Sequence, residues 1–232
     1  MLYVAQFRYS SDNLAYLIYG RESAMAIDGG AVDEIIRFLE KQHLQLRYVV
    51  NTHHHYDHTS GNDSLLHHDE AQFIPCSELS LKDSLILENE TVRIYSTPGH
   101  TADSLCFHIG NILITGDTLF NGTIGNCFSG RIDLFYQSIK KIMALPKETM
   151  IYAGHDYIKD SIYFARQLEP DNPDLNRFLA DYDPDHVYST LADEFRINPY
   201  LRFNDAKIID VLKKEGLSTE TEWQRWESLM SL

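Results

Sequence analysis

The sequence predicts an α+β protein, with two packed sheets and helices outside them, followed by a helical C-terminal unit. Three observations carry this. Over residues 1–156, short strand-like runs mix with helical stretches without strict strand–helix–strand alternation. Residues 157–232 read as helical throughout, punctuated by Pro170, Pro173, Pro184 and Pro199. Between them in importance stands Thr52-His53-His54-His55-Tyr56-Asp57-His58, a strand-to-helix loop crowded with metal-binding side chains. The expected domains are therefore 1–156 and 157–232.

Alternating apolar residues place strands at 2–9, 14–19 and 24–28. A helix follows at 31–42, with Ile35, Ile36 and Leu39 on one face and Asp33-Glu34 near its N-terminus, where acids favour the helix dipole. Further strands fall at 47–51, 72–74, 91–96, 104–109 and 112–115. Ser60-Gly61-Asn62 marks the start of another helix. A helix over 134–145 is stopped by Pro146 and followed by a strand at 150–153. Beyond it, helices are expected at 157–168, 174–182, 189–195, 205–215 and 220–229, with no strand between them.

A chain of 232 residues with 44% hydrophobic content has ample core for this plan. No apolar run approaches a membrane span, and residues 1–7 alternate like a strand instead of forming the blocks of a signal peptide. Cys76, Cys106 and Cys127 are odd in number and scattered, which suits a reduced cytoplasm, with Cys106 in the core. The formal charge of −14 argues against nucleic acid as a partner, since phosphate contacts need clustered Lys and Arg.

The His-x-His-x-Asp-His spacing suits a pair of metal ions better than one. In an extended chain His53, His55 and Asp57 point one way, and a turn at Asp57 brings His58 to a neighbouring ion. His54 falls on the opposite side and reads as support or packing. Three further candidates each end an apolar strand behind a glycine that lets the backbone turn: His100, Asp117 and His155. Imidazole and carboxylate donors without thiolate suit Zn²⁺, Fe or Mn. Trp223 and Trp226 read as core anchors of the last helix, and His67-His68 as surface residues.

With these residues assembled, the chain resembles the metallo-β-lactamase superfamily, whose fold is an αβ/βα sandwich with a two-metal site at one edge. Within it, the chain resembles the glyoxalase II (hydroxyacylglutathione hydrolase) family. Thr-His-His-His-x-Asp-His, Pro-Gly-His-Thr, Thr-Gly-Asp-Thr-Leu-Phe and Gly-His-Asp-Tyr match that family's motifs in order. The segments 164–170, 189–195 and 198–202 resemble its C-terminal domain.

The resemblance implies that His53, His55 and His100 hold one metal, that Asp57, His58 and His155 hold the other, and that Asp117 bridges both. It implies a small-molecule thioester substrate, hydrolysed to a carboxylic acid and a thiol by a hydroxide bridging two divalent ions, zinc first. One zinc alone brings bound water to a pKa of about 7. Asp57 and Asp117 are the expected catalytic carboxylates, Asp57 orienting the hydroxide or handling its proton. Tyr157 keeps the position of a family tyrosine that contacts glutathione.

Around the substrate the match thins. The family's Gly-Lys-Phe-Tyr-like segment is Gly125-Asn126-Cys127-Phe128 here, and its C-terminal Arg-x-x-Lys pair is reduced to Arg225. Losing a cation that pairs with a substrate carboxylate costs ~1.5–3 kcal/mol of binding, roughly ten- to a hundredfold. A weakened or altered thiol preference is expected, with Asn126 and Phe128 joining Tyr157 as substrate-binding residues. Competing readings are a lactone or phosphodiester hydrolase on the same metals, a persulfide dioxygenase on a single iron, and a non-catalytic binding paralogue. The complete set of seven ligand positions favours two ions and catalysis. A monomer or small homo-oligomer, free of membrane, is expected.

Overall fold

The computed structural model describes residues 1–232. The first sheet is built from β1 (Tyr3–Tyr9), β2 (Asn13–Tyr19), β3 (Ser23–Ile27), then across helix α1 (Val32–Gln42) to β4 (Gln45–Val50). Helices α2 (Tyr56–Thr59) and α3 (Asn62–His68) lead to its edge strand β5 (Gln72–Phe73). The strands lie in sequence order, antiparallel from β1 to β3 and parallel from β3 to β5.

Helix α4 (Cys76–Leu79) crosses to the second sheet. Its strands are β6 (Ser84–Leu87), β7 (Glu90–Ser96), β8 (Leu105–Ile109) and β9 (Ile112–Gly116). The small hairpin of β10 (Leu119–Phe120) and β11 (Thr123–Ile124) then leads through α5 (Ile132–Met143) to β12 (Met150–Ala153). Beyond it come α6 (Ile158–Leu168), α7 (Pro173–Ala180), β13 (Ser189–Thr190), α8 (Leu191–Ile197), α9 (Ala206–Lys214) and α10 (Glu222–Met230). The second sheet runs β13-β12-β9-β8-β7-β6.

Strand periodicity explains the layering. On β2, Leu14, Tyr16 and Ile18 face the other sheet, meeting Val92, Phe107, Ile114 and Tyr152. The alternate residues Ala15 and Leu17, with Ala24, Ala26 and Val49, face Ile35 and Leu39 of α1 and Leu65 of α3. On the far side Cys106, Leu113 and Ile151 meet Phe135, Ile139 and Ile142 of α5, together with Trp226 and Leu229 of α10. The result is helix, sheet, sheet, helix: an α+β sandwich as expected. Each large apolar side chain buried in it contributes about 1.5–3 kcal/mol. Trp226 is fully buried and Trp223 packs beside it, so both anchor α10.

The helical region departs from expectation in one respect. Ser189–Thr190 forms a strand, pairing antiparallel with β12, so the helix expected from 189 starts at Leu191. Thr190 is that helix's N-cap, in a reciprocal capping box with Asp193. A residue that serves as both edge strand and cap is invisible to helical periodicity. No helix is long and apolar enough to cross a membrane.

Candidate metal centre

The C-terminal ends of β3, β4, β7, β9 and β12 gather at one edge of the sandwich, because β3 runs parallel to β4, and β9 parallel to β12. β7 shares the direction of β9 through two antiparallel pairings with β8. Asp28, His53, His100, Asp117 and His155 follow these strand ends in turn. Two glycines make the assembly sterically feasible. Gly116 turns the chain with φ of 49° and would press a β-carbon to 2.3 Å from Thr52 Oγ1. Gly154 has an ordinary φ; a β-carbon there would fall 2.2 Å from Asp117 Oδ1. Gly154 thus permits close approach, not a turn.

All seven expected ligand positions come together, in two groups. Around the first, His53 Nε2 lies 2.9 Å from His55 Nδ1, which lies 3.1 Å from His100 Nε2. Asp117 Oδ2 sits 3.4 Å from His100 Nε2. In the second, His58 Nε2 and His155 Nε2 are 3.2 Å apart, with Asp57 Oδ2 at 3.6 and 3.3 Å from them. Asp117 reaches this group too, through Oδ1 at 3.4 Å from His58 and Oδ2 at 3.5 Å from His155. Nitrogens bound tetrahedrally to one zinc at 2.0–2.1 Å would stand ~3.3 Å apart, so the donor spacing fits.

The sequence reading of Asp57 needs correction. The chain bends at Thr52 and His53 and α2 begins at Tyr56, so Asp57 does not continue an extended alternation from His53 and His55. The helical turn carries Asp57 and His58 together to the second group. His54 has its ring exposed and its Nδ1 2.8 Å from Asp103, and no side-chain hydrogen bond ties it to any of the seven positions.

Electrostatics show how strongly the centre demands positive charge. Burial drives His53 down to about 3, aided by the charge on His58. For His58 burial acts the same way, but the carboxylates of Asp28 and Asp117 outweigh it and raise the imidazole to about 11. Burial would also raise Asp117, yet the close imidazoles of His155 and His58 hold it well below the usual carboxylate range. Protons on histidine thus serve the acids here as a cation would. Asp117 Oδ1 is nevertheless buried without a hydrogen-bond partner, its 3.4 Å approach to His58 being an ionic contact only. A buried carboxylate oxygen in that state is well suited to a metal ion.

Sequence reasoning missed the residues that orient the ligands. Asp28 is fully buried, accepts from Thr52 N and Oγ1 at 2.8 and 2.7 Å, and lies 3.0 Å from His58 Nδ1. Asp12 Oδ1 takes the same role 2.8 Å from His155 Nδ1, and the Asn126 carbonyl 2.9 Å from His100 Nδ1. Each fixes a ring so that Nε2 faces the centre. Asn13 Nδ2 donates to Asp57 Oδ2 at 3.0 Å, and Tyr9 Oη to the Asp57 carbonyl at 2.7 Å. Asp28 ends a strand as the other candidates do, but its glycines, Gly29-Gly30, follow it instead of preceding it.

Asp28→Asn keeps a residue that tolerates the positive φ of 53° at this site but removes the charge facing His58. A fall of about 10–100-fold in metal affinity is expected, measured by competition with a chelator.

The expected substrate residues surround the centre. Tyr157 stacks on His155 with ring centroids 4.9 Å apart, its other contact being the edge of Phe120 at 5.0 Å. Phe128 lies 5.8 Å from His55 and 5.2 Å from His100 by ring centroid. Asn126 is exposed two residues before Phe128. Arg225, in contrast, is held by Asn204 and the Thr219 carbonyl.

Fold and donor set together define a member of the metallo-β-lactamase superfamily, and the superfamily's sequence model matches residues 11–80 and 78–155. The model named for the C-terminus of hydroxyacylglutathione hydrolase matches residues 156–231. A hydroxyacylglutathione hydrolase of Nitrosomonas europaea is 34% identical over 90% of this chain and 86% of its own length. One from Pseudoalteromonas translucida is 30% identical over 100% of this chain and 97% of its own. The chain belongs to the hydroxyacylglutathione hydrolase family. Among solved structures, ETHE1 from Myxococcus xanthus shares the fold, with a TM-score of 0.70 at 23% identity, covering 99% of this chain and 90% of that one.

Proposed function

We propose that this chain is a metal-dependent hydrolase that cleaves a thioester, hydroxyacylglutathione-like in its reacting group, to a carboxylic acid and a thiol. The observation that carries this reading is the convergence of seven imidazole and carboxylate side chains into two groups sharing Asp117. His53, His55 and His100 would hold one divalent cation, Asp57, His58 and His155 a second, and Asp117 both. Zinc is the first candidate, with iron or manganese compatible with the same donors. When bound, such ions supply Lewis acidity at a carbonyl oxygen and lower the pKa of a water.

The chain's own residues supply position. Asp57 keeps its side chain 47% exposed, so it meets both the centre and solvent. Burial alone would raise it, but the Asn13 amide and His58 hold it below the usual carboxylate range, leaving an ionised acceptor that orients the attacking water. Asn13 holds that carboxylate in place, and Tyr9 fixes the backbone of the same residue through its carbonyl. Tyr157 and Phe128 provide walls on opposite groups, confining the carbonyl between them. A thiolate leaves with little protonation, so the chain need supply no general acid. We also read residues 1–156 as the unit carrying the centre and 157–232 as a helical unit packed against it.

Metal analysis joined to a substrate panel tests the proposal. Two divalent ions per chain, with thioesters of glutathione, coenzyme A or simpler thiols cleaved faster than lactones and phosphodiesters, is the expected result. One iron per chain, or faster cleavage of lactones or phosphodiesters, would overturn it.

A further inference from the structure

The two ligand groups are braced from different parts of the chain. In the first, His53 Nδ1 lies 3.0 Å from Thr52 Oγ1 and His100 Nδ1 lies 2.9 Å from the Asn126 carbonyl. Residues 8–14, the turn of the β1–β2 hairpin and its flanks, make no hydrogen bond to His53, His55 or His100.

The second group depends on that hairpin. Asn13 Nδ2 donates to Asp57 Oδ2 at 3.0 Å, and Tyr9 Oη to the Asp57 carbonyl at 2.7 Å. Asp12 Oδ1 lies 2.8 Å from His155 Nδ1, while its Oδ2 accepts from Ser11 Oγ at 2.8 Å. The backbone adds Leu14 N to the Gly154 carbonyl and Asp156 N to the Asp12 carbonyl, both at 2.9 Å. Gly30 leaves the room this needs, since a β-carbon there would meet the Tyr9 ring at 2.1 Å.

The hairpin needs an anchor of its own, because β1 is an edge strand paired only with β2. Arg8 supplies one. Its guanidinium donates to Asp156 Oδ2 at 2.5 Å and to the Pro184 carbonyl at 2.9 Å. Tyr182 Oη donates to the same Asp156 oxygen at 2.6 Å. Asp156 directly follows His155, and its side chain is only 6% exposed, so this pair holds more firmly than an open surface pair.

We propose that Arg8 is a positioning residue for the second metal group alone. Through Asp156 and the hairpin it sets how firmly Asp57 and His155 hold an ion, and it leaves the first group untouched. This rests on the two-ion reading above. A chain with a loosened hairpin keeps the ion on His53, His55, His100 and Asp117 and gives up the other.

The test is stepwise removal of zinc from the loaded protein by a competing chelator, which yields one dissociation constant per ion. His155→Ala marks the step that belongs to the second group. Arg8→Ala is expected to weaken that step about tenfold, the usual effect of losing support around a metal ligand, with the other step unchanged. Arg8→Lys keeps a cation for Asp156 and should recover most of the loss. Asn13→Ala removes a hairpin contact to Asp57 with Arg8 intact and should weaken the same step. Equal weakening of both steps in Arg8→Ala would mean a general loosening of the fold and would sink the proposal, as would no change in either. A natural chain that holds only one ion overturns the two-ion reading, and the proposal falls with it. Two ions with the wrong pattern of loss overturn the role of Arg8 alone.

Discussion

Replacing Asp117 by alanine is expected to strip both metal ions of the proposed centre and to lower the proposed hydrolysis on the order of a thousandfold or more. The side chain is almost wholly buried and is the one carboxylate within reach of both ligand groups. Without it, His53, His55 and His100 keep three neutral donors and no negative charge against a divalent ion. The second group keeps only Asp57, half open to water. Asp117→Asn preserves shape and one oxygen, so its metal loss should be smaller than that of alanine. Metal content per chain, measured alongside thermal unfolding with and without chelator, distinguishes these outcomes. A variant that keeps two ions per chain would show that the shared position of Asp117 is not a shared ligand.

What the sequence reveals of this centre depends on how each residue announces itself. His100, Asp117 and His155 are legible because each ends an apolar strand behind a glycine, and the structure supplies the reason in Gly116 and Gly154, where a β-carbon would strike Thr52 and Asp117. Asp12 and Asp28 carry no such punctuation. Their partners lie 143 and 30 residues away; the parallel pairing of β3 with β4 brings Asp28 to His58, and the closing of two sheets onto one edge pairs Asp12 with His155. The tie is a short bridge between Asn13 and His155, with Leu14 N donating to the Gly154 carbonyl at 2.9 Å. Length sets the same limit for the fold. Strands of seven residues such as β7 show their period, whereas the two-residue strands β10, β11 and β13 show none. The four-residue helix α2 is equally silent, and for that reason Asp57 reads as a continuation of an extended chain that has already turned.

Glu194 is where the helical region is expected to fail first. Its carboxylate is fully buried on α8 and accepts from Ser189 Oγ at 2.6 Å, Asn198 Nδ2 at 2.7 Å and Gly122 N at 3.1 Å. These contacts join β13, α8 and the turn of the β10–β11 hairpin, whose Phe120 rests on Tyr157 and His155. Glu194→Ala leaves three buried donors unpaired, a destabilisation on the order of 3–5 kcal/mol. The pH dependence has a definite sign. Burial raises this acid to about 7, above the 4.5 of an unperturbed glutamate, despite the hydrogen bonds that favour its charged form. Between those values the folded chain holds a proton that the unfolded chain has released, so stability falls as pH rises. Its contribution is fully present below pH 4.5 and lost as pH climbs through about 7, an amount on the order of 3 kcal/mol. Glu194→Gln cannot titrate, so urea unfolding of the two proteins in chelator isolates the effect. The advantage of the natural chain over Glu194→Gln should be largest near pH 4.5 and shrink toward pH 8. A difference that stays constant, or grows with pH, would mean that the buried carboxylate is already ionised in the acidic range. The hairpin would then be held by a charged anchor instead of a proton-dependent one.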